Sequence, residues 1–370
     1  MEKLSLRLET AQDMENRARI LALEPLELIL GAESLDLERR LAAWVGAAHC
    51  VAVSDAACGI ALALRAAGIG KDDHVMCAAL GCALPVQGIM LAGALPLFAD
   101  INPNTYTLDP FCLEYALGKL ERRQQPLPRA LIVTDLFGAP AMMQMLEKIC
   151  AERDIVLIED MSGAFGAKYQ GRRAGNFGRF SVASFASPGS LDEPGGGAVF
   201  CRGRQDSEKV ESLRNCGRQQ SIGAEDRAPC VGSSDAALVR ARLDTLTEEH
   251  AGRRKAAERY RERLEGKIRV QQIIEGGESV YSQLVIALPE GLSRPEIVRG
   301  LYKMNIPTGP PLCGLQSAST DWNRTMLVNT YALAGRLLSL PIHSHLSCQT
   351  VDYICESLLS EVNRLVPLIV

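Results

Sequence analysis

The sequence predicts an α/β protein: a three-layer sandwich with a mostly parallel sheet, followed by a smaller α+β domain. From residue 49 onward, short β-rich runs alternate with helical segments. A chain of 370 residues is long for one core and suits two domains. Beyond Lys267 the runs become shorter and are mixed with helices. We expect the larger domain at residues 1–245 and the smaller at 246–370.

The first domain is predicted to consist of repeated β-α-β units, which place successive strands parallel to one another. The expected strands are HCVAVSD from His49, HVMCAA from His74, LPLFAD from Leu95, ALIVTD from Ala130, IVLIED from Ile155, FSVASF from Phe180 and GAVFC from Gly197. Ligands of such sheets bind at the carboxyl ends of strands, so Ser54, Asp135 and Asp160 are the first candidates for a site.

A long charged helix is expected at about residues 234–266, with its charges on a solvated face. The stretch from Val75 to Ala99 carries no charged residue and is long enough to cross a bilayer. Because Pro85 and Pro96 interrupt it, we interpret it as a buried strand, helix and strand, and expect no membrane partner.

Bulk properties exclude some functions. The net charge is −4 and no block of basic residues is present, so nucleic acid is not expected as a partner. The first residues are charged throughout and show no secretory signal, which favours a cytoplasmic protein. The twelve cysteines form no Cys-x-x-Cys pair and are interpreted as small buried hydrophobic residues. A metal site at His343, His345 and Cys348 is the alternative, although no metal is expected.

Five stretches resemble the DegT/StrS family of pyridoxal-phosphate (PLP) dependent sugar aminotransferases. They are VAVSDAACGIALALRAAGIGKDDHV, LAGALPLFADINPNTYTLDP, VTDLFGAPAMM, IVLIEDMSGAFGAKYQGRRAGNFG and SFASPGSLDEPGGGAVF. The resemblance implies the aspartate-aminotransferase-like fold known as fold type I. It also implies a symmetric homodimer and a nucleotide-sugar ligand.

The lysine that binds PLP covalently in the family is missing from this sequence. The family's Ser-Phe-x-Pro-Thr-Lys-Asn-Leu run resembles residues 184–191, which places Gly189 at the lysine position. A shift of one residue places Pro188 there instead, and no lysine occurs between Lys168 and Lys209. We therefore assign no catalytic residue.

Two residues keep the family's cofactor contacts by position. Asp160 corresponds to the carboxylate that pairs with the pyridine nitrogen, and Ser184 to a phosphate contact. Two charge-assisted hydrogen bonds provide about 3 to 6 kcal/mol before ordering costs, which corresponds to about millimolar binding or weaker. Tight PLP binding is therefore not expected.

Other contacts of the family are replaced. Its phosphate-binding Ser-Gly-Thr corresponds to Asp55-Ala56-Ala57, a helix start suited to capping itself. Where an aromatic residue should stack on the cofactor, the segment 79–82 offers Gly81. The motif contributed by the neighbouring subunit corresponds to residues 228–230, and the family's Pro-Leu-His is Pro311-Leu312-Cys313.

Three functional hypotheses follow. The first is a catalytically degenerate homologue, a pseudoenzyme, that acts as a scaffold, partner or regulator, as a homodimer or as a heteromer with an active paralogue. The second is a PLP-independent enzyme that acts on a nucleotide sugar with Asp135, Asp160, Asp192 and Glu193 as acids or bases. Asp192 and Glu193 are otherwise interpreted as a solvated loop. The third is an active aminotransferase with a lysine from elsewhere, such as Lys168.

Overall fold

A computed structural model describes residues 32–186, 191, 193, 195–215, 233–315 and 326–365. Its first ten strands are β1 His49–Val53, β2 His74–Ala78, β3 Leu80–Gly81, β4 Leu95–Ala99, β5 Ala130–Thr134, β6 Val156–Asp160, β7 Lys168–Tyr169, β8 Arg172–Arg173, β9 Phe180–Ser184 and β10 Gly197–Cys201. Seven of them form the central sheet, in the order β1-β10-β9-β6-β5-β2-β4. Only β10 is antiparallel to its neighbours, so the predicted, mostly parallel sheet is confirmed.

Helices cover both faces of this sheet. They are α1 Ala32–Val45, α2 Ala56–Ala66, α3 Leu84–Ala92, α4 Pro110–Arg122, α5 Met143–Glu152 and α6 Arg204–Arg214. Alternate residues of a strand point to opposite faces, and β10 shows the result. Val199 packs into an apolar cluster on one face, whereas Ala198 and Phe200 pack into a second cluster on the other. The three-layer architecture expected from the sequence is therefore confirmed.

The C-terminal part combines helices with short antiparallel strands. Its elements are α7 Ser233–Leu264, β11 Arg269–Val270, β12 Gly277–Glu278, β13 Leu284–Ala287, α8 Arg294–Lys303, β14 Gly314–Leu315, α9 Val328–Ala334, β15 Leu337–Leu340 and α10 Cys348–Leu365. Strands β11, β13 and β15 form a small sheet with its own apolar cluster. Residue 245, the proposed domain boundary, lies within α7, so the division into 1–245 and 246–370 remains a proposal.

The charges of α7 differ from the expectation of a solvated face. Arg242, Glu249, His250 and Arg253 are all buried. The helix packs against α1 and α10, and other segments also enclose its charged positions: Arg242 donates to the Leu191 carbonyl oxygen (3.2 Å). The prediction was correct for the helix and for its exposed charges, such as Asp244, Glu248 and Glu258, and wrong for these four residues.

The uncharged stretch from Val75 to Ala99 forms β2, β3, α3 and β4, as expected. Helix α3 inside it has only nine residues. In the described part of the chain, no helix is both long and apolar enough to cross a membrane.

Candidate ligand-binding cleft

A cavity of about 520 Å³ lies where the carboxyl ends of the central strands meet a segment of the C-terminal part. This volume is in the range of small-molecule sites, which span about 300 to 1,000 Å³. Strand ends contribute Thr134, Asp135, Ser162 and Ser184, and the cavity's other walls include Gly81, Cys82, Gln283, Pro311, Leu312 and Cys313. The cleft is thus located at the sheet edge that the sequence predicts.

Asp160 lies at the end of β6, beneath this cavity, and its side chain is fully buried. Oδ1 accepts a hydrogen bond from the Ser162 amide (3.1 Å). Oδ2 accepts one from the Thr134 hydroxyl (3.1 Å) and a weak one from the Cys82 thiol (3.8 Å). Burial raises the pKa of Asp160, and these donors lower it only in part. Both carboxyl oxygens are therefore already engaged by the protein.

Ser184, the second predicted cofactor contact, lines the cavity at the end of β9. Its hydroxyl oxygen accepts a hydrogen bond from the Ala186 amide (3.2 Å), and its own amide donates to the Ser162 hydroxyl (2.9 Å). The hydroxyl hydrogen remains available for a ligand, because the contact with Ala186 uses only the oxygen. Ser184 can therefore donate into the cavity.

A second carboxyl group, Asp135, also borders the cleft and is fully buried. Its Oδ1 accepts a hydrogen bond from the Ala141 amide (2.8 Å), and its Oδ2 makes none. Burial raises the pKa of Asp135 well above its usual value, and the neighbouring Glu159 carboxyl group raises it further. Glu159 is itself buried and accepts hydrogen bonds from Gly175, Phe177 and Ser181. This pair of carboxyl groups retains a proton at a higher pH than ordinary acids do.

The start of α2, which corresponds to the family's phosphate-binding segment, is capped by its own side chain, as the sequence predicts. Asp55 Oδ1 accepts a hydrogen bond from the Cys58 amide (2.8 Å), and Oδ2 accepts one from the Ser54 hydroxyl (3.1 Å). Burial raises the pKa of Asp55, but these hydrogen bonds outweigh it and the pKa is lowered. A carboxylate therefore remains at the helix start, where it would repel a phosphate.

No lysine is found among the described residues that line the cleft. Gly189 and Pro188, at the family's lysine position, lie outside the described residues, as do Asp192 and residues 228–230. Lys168, the alternative source, lies in β7 and forms an ion pair with Glu278 (3.0 Å) instead. Its amine is thus engaged on the small sheet of β7, β8 and β12.

The interpretation of Glu193 as part of a solvated loop is wrong. Its side chain is only 6% exposed, and its amide donates to the Phe185 carbonyl oxygen (2.7 Å). Residues 186 and 193 form a parallel bridge, and this pairing turns Glu193 inward.

The alternative metal site gains no support from the geometry. His343 is buried with both ring nitrogens lacking hydrogen bonds, whereas Cys348 is exposed. In the ranges that the structure describes, no group of three His, Cys, Asp or Glu side chains is arranged to hold a metal ion.

Sequence reasoning missed the residues that cover Asp160. Thr134 directly precedes a predicted candidate, and the strand pairing Thr134↔Asp160 brings the two side chains together. No pattern within β5 or β6 reveals this pair, because both strands are almost entirely buried and only their register sets it. Cys82 carried no signal either, because it reaches Asp160 across 78 residues of sequence.

The described residues fit PLP, the cofactor that the resemblance implies, at some of its contacts and not at others. Asp160 is the carboxyl group that could pair with the pyridine nitrogen, since each of its oxygens can accept a further hydrogen bond, although burial raises its pKa and so disfavours the charged form. The phosphate would need free amides at a helix start, but Asp55 occupies the start of α2. The observed contacts therefore obstruct the phosphate at the start of α2, whereas Asp160 and Ser184 keep hydrogen-bonding capacity.

Comparisons with known proteins agree on the family. The sequence profile of the DegT/DnrJ/EryC1/StrS aminotransferase family matches residues 10–359. The UDP-2-acetamido-2-deoxy-3-oxo-D-glucuronate aminotransferase of Pseudomonas aeruginosa is 29% identical over 342 residues, which cover 90% of this chain and 91% of that enzyme. A pleiotropic regulatory protein of Geobacillus stearothermophilus is 29% identical over 345 residues, covering 89% of each chain.

A solved structure supports the same fold. The crystal structure of a DegT DnrJ EryC1 StrS aminotransferase from Brucella abortus superposes with a TM-score of 0.84, at 24% identity, and covers 94% of this chain and 95% of that one. The fold-type I architecture expected from the sequence is thereby confirmed. The chain belongs to the DegT/DnrJ/EryC1/StrS aminotransferase family, a family of PLP-dependent sugar aminotransferases.

Proposed function

We propose that this chain is a catalytically degenerate sugar aminotransferase homologue that does not transaminate and acts as a scaffold, partner or regulator. The observation that carries this proposal is that the side chain of Asp55 caps the N-terminus of α2. Asp55 accepts the Cys58 amide hydrogen bond there, so a negative charge takes the place where the family holds the cofactor's phosphate. Gly189 at the lysine position supports the same conclusion from the sequence.

A regulatory function is consistent with one relative, which is named a pleiotropic regulatory protein and matches along 89% of its length. The family resemblance favours a symmetric homodimer in the cytoplasm, and a heteromer with an active paralogue is the alternative. Light scattering of the purified chain, alone and mixed with an active family member, distinguishes these assemblies.

The deciding experiment adds PLP to the purified protein and records the visible absorbance spectrum, followed by borohydride reduction and intact mass. We expect no Schiff-base band and no covalent adduct. A band with a reduced adduct would refute the proposal. Peptide mapping of the adduct would then identify the modified lysine.

Two variants separate the effect of the missing lysine from the effect of Asp55 at the phosphate position. Gly189→Lys alone restores an amine but leaves Asp55 at the phosphate position, so we expect little gain in PLP binding. Combining it with Asp55→Ser, Ala56→Gly and Ala57→Thr restores both the amine and the helix start. This combined variant is expected to bind PLP covalently, whereas equal binding by Gly189→Lys alone would show that Asp55 does not oppose the phosphate.

A second candidate function is a PLP-independent reaction on a nucleotide sugar, and the open cavity of about 520 Å³ favours it. Asp135 beside this cavity has a raised pKa, which suits a general acid at neutral pH. Titration calorimetry with a UDP-sugar tests it, with uridine as the control. Binding of the UDP-sugar followed by its chemical conversion would favour this enzyme over the pseudoenzyme, and binding without conversion would favour a ligand-regulated partner.

A further inference from the structure

Two cysteines approach each other across the ladder that connects the sheet edge to the C-terminal part. Strands β3 and β14 are antiparallel, and their register pairs Leu80 with Leu315 and Gly81 with Gly314. Continuing this register by one residue beyond the two strands would place Cys82 opposite Cys313. Both line the cavity, and both are free thiols.

The geometry of an antiparallel pair suits a covalent link between these residues. Directly opposed residues have Cα atoms about 4.5 to 5.5 Å apart, and their side chains point to the same face. Disulfides span Cα distances of about 4.4 to 6.8 Å. The continued register therefore predicts that Cys82 and Cys313 meet both requirements of distance and direction.

We propose that Cys82 and Cys313 form a reversible disulfide that fastens the segment at residues 311–314 to the sheet edge and so fixes one wall of the cavity. This inference does not depend on the proposed function, since it concerns the two thiols and the ladder between them. In the reduced protein both cysteines line the cavity, and the Cys82 thiol contacts Asp160 Oδ2 (3.8 Å). In the oxidised protein the wall formed by Pro311, Leu312 and Cys313 cannot move away from Cys82.

The reaction requires an oxidant, for which a small disulfide such as oxidised glutathione is sufficient. One cysteine sulfur attacks a glutathione sulfur, so the glutathione S–S bond breaks, a mixed disulfide forms and one glutathione leaves as a thiol. The second cysteine then attacks the protein sulfur of the mixed disulfide and releases the second glutathione. The two protons of the cysteines end on the two glutathione thiols, and the protein loses two hydrogens.

The environment of the thiols makes this oxidation slow at neutral pH. Burial raises the pKa of Cys313 to about 12. Burial, followed by the negative charge of Asp160, raises the pKa of Cys82 well above its usual value. Because the thiolate is the attacking species, the rate should increase about tenfold per pH unit through the neutral range. An exposed thiol, by comparison, levels off near its pKa of about 8.5.

Cys50 and Cys201 provide a matched control pair elsewhere in the molecule. They lie on neighbouring strands, but Cys50 is opposite Phe200 and Cys201 is opposite His49. A shift of one residue places their side chains on opposite faces of the sheet, and they belong to different apolar clusters. These two cysteines are near neighbours that cannot form a disulfide.

The test incubates the full chain with oxidised glutathione at several pH values, blocks remaining thiols and maps the peptides without reduction. We expect one linked peptide pair containing Cys82 and Cys313, formed faster at higher pH and absent after treatment with dithiothreitol. No linkage between Cys50 and Cys201 is expected. Failure to recover the linked pair from the folded chain, or recovery of stable glutathione adducts on Cys82 or Cys313 in its place, would overturn the proposal.

Variants add a second measurement. Cys82→Ser and Cys313→Ser should each abolish the oxidation-dependent increase in the urea midpoint of unfolding, whereas Cys50→Ser should preserve it. If Cys82→Ser does not fold, Cys313→Ser removes the other cysteine of the same bond and provides the same test. An increase that persists in a folded Cys313→Ser variant would contradict the proposed linkage.

Discussion

Two buried polar clusters of this protein differ in the charges they contain and in the direction of their pKa shifts. The strand-end cluster contains Asp135, Glu159 and Asp160, all acidic, with hydrogen bonds from amides and hydroxyl groups. The α7 cluster contains Arg242, Glu249, His250 and Arg253, in which both signs of charge occur. Burial raises the pKa values of the carboxyl groups in the first cluster and lowers the pKa of the histidine in the second, so burial favours the uncharged form in both.

The difference teaches that acidification acts on the two regions in opposite directions. Acid stabilises the strand-end cluster, because burial raises the pKa values of its carboxyl groups. Acid destabilises the α7 cluster, whose buried histidine must remain neutral. The pH of maximal stability is therefore set between the two, and substitutions in each cluster should shift it in opposite directions.

The largest effect is expected from Glu249→Ala. The Glu249 carboxylate accepts hydrogen bonds from Arg242 and from Thr245 (3.1 Å), and it also pairs with Arg253 (3.6 Å). Its removal leaves two buried guanidinium groups without this carboxylate, which typically costs about 3 to 5 kcal/mol. Urea unfolding measures the loss. Glu258→Ala, an exposed position on the same helix, should change stability by less than about 0.5 kcal/mol. A loss from Glu249→Ala as small as this control would show that the cluster does not depend on its carboxylate.

The sequence could predict these regions only in part. The positions of Asp160 and Ser184 followed from the strand pattern and the family resemblance, because both stand at strand ends. The burial of Glu249 could not be predicted, since a charged helix has the same composition whether it lies on a surface or between two packed layers. The partners of Asp160 were missed for a related reason: strand pairing, which places Thr134 beside it, is not visible in either strand alone.

The next largest effect is the contribution of His250 to the pH dependence of stability. Burial, with smaller contributions from the charges of Arg253, Arg254 and Arg242, lowers the pKa of His250 to about 3. The unfolded histidine titrates near pH 6.5. Stability contributed by the neutral ring is therefore present above pH 6.5 and is lost as the pH falls toward 3. Between pH 6.5 and 5 this loss amounts to about 2 kcal/mol. His250→Gln should remove that part of the pH dependence, measured by urea unfolding at both pH values. An unchanged slope in a folded His250→Gln variant would show that other groups carry it.

Asp135→Asn tests the strand-end cluster, with the opposite sign. The raised pKa of Asp135 means that the native state holds its proton more tightly than the unfolded chain does. The resulting stability is present below pH 4 and is lost as the pH rises through the raised value. The amide removes one carboxyl group of the pair, so we expect a gain of about 1 to 3 kcal/mol at pH 8 and a shallower pH slope. Glu248→Gln, which is exposed on α7, should leave the slope unchanged. A loss of stability from Asp135→Asn at pH 8 would mean that the native pair is ionised.

The smallest expected change in stability tests whether Asp55 stabilises the start of α2 as a helix cap. Asp55→Ala removes the acceptor of the Cys58 amide and should cost about 1 kcal/mol. Asp109, which caps α4 by accepting the Phe111 amide (2.8 Å), is the matched comparison, and Asp109→Ala should cost a similar amount. Because hydrogen bonds lower the pKa of Asp55 despite its partial burial, its stabilisation is present above pH 4 and is lost as the pH falls through the lowered value. Thermal unfolding at pH 7 and pH 3 measures both effects. If Asp55→Ala stabilised the protein, the carboxylate would destabilise this helix start, and a role as a helix cap would be excluded.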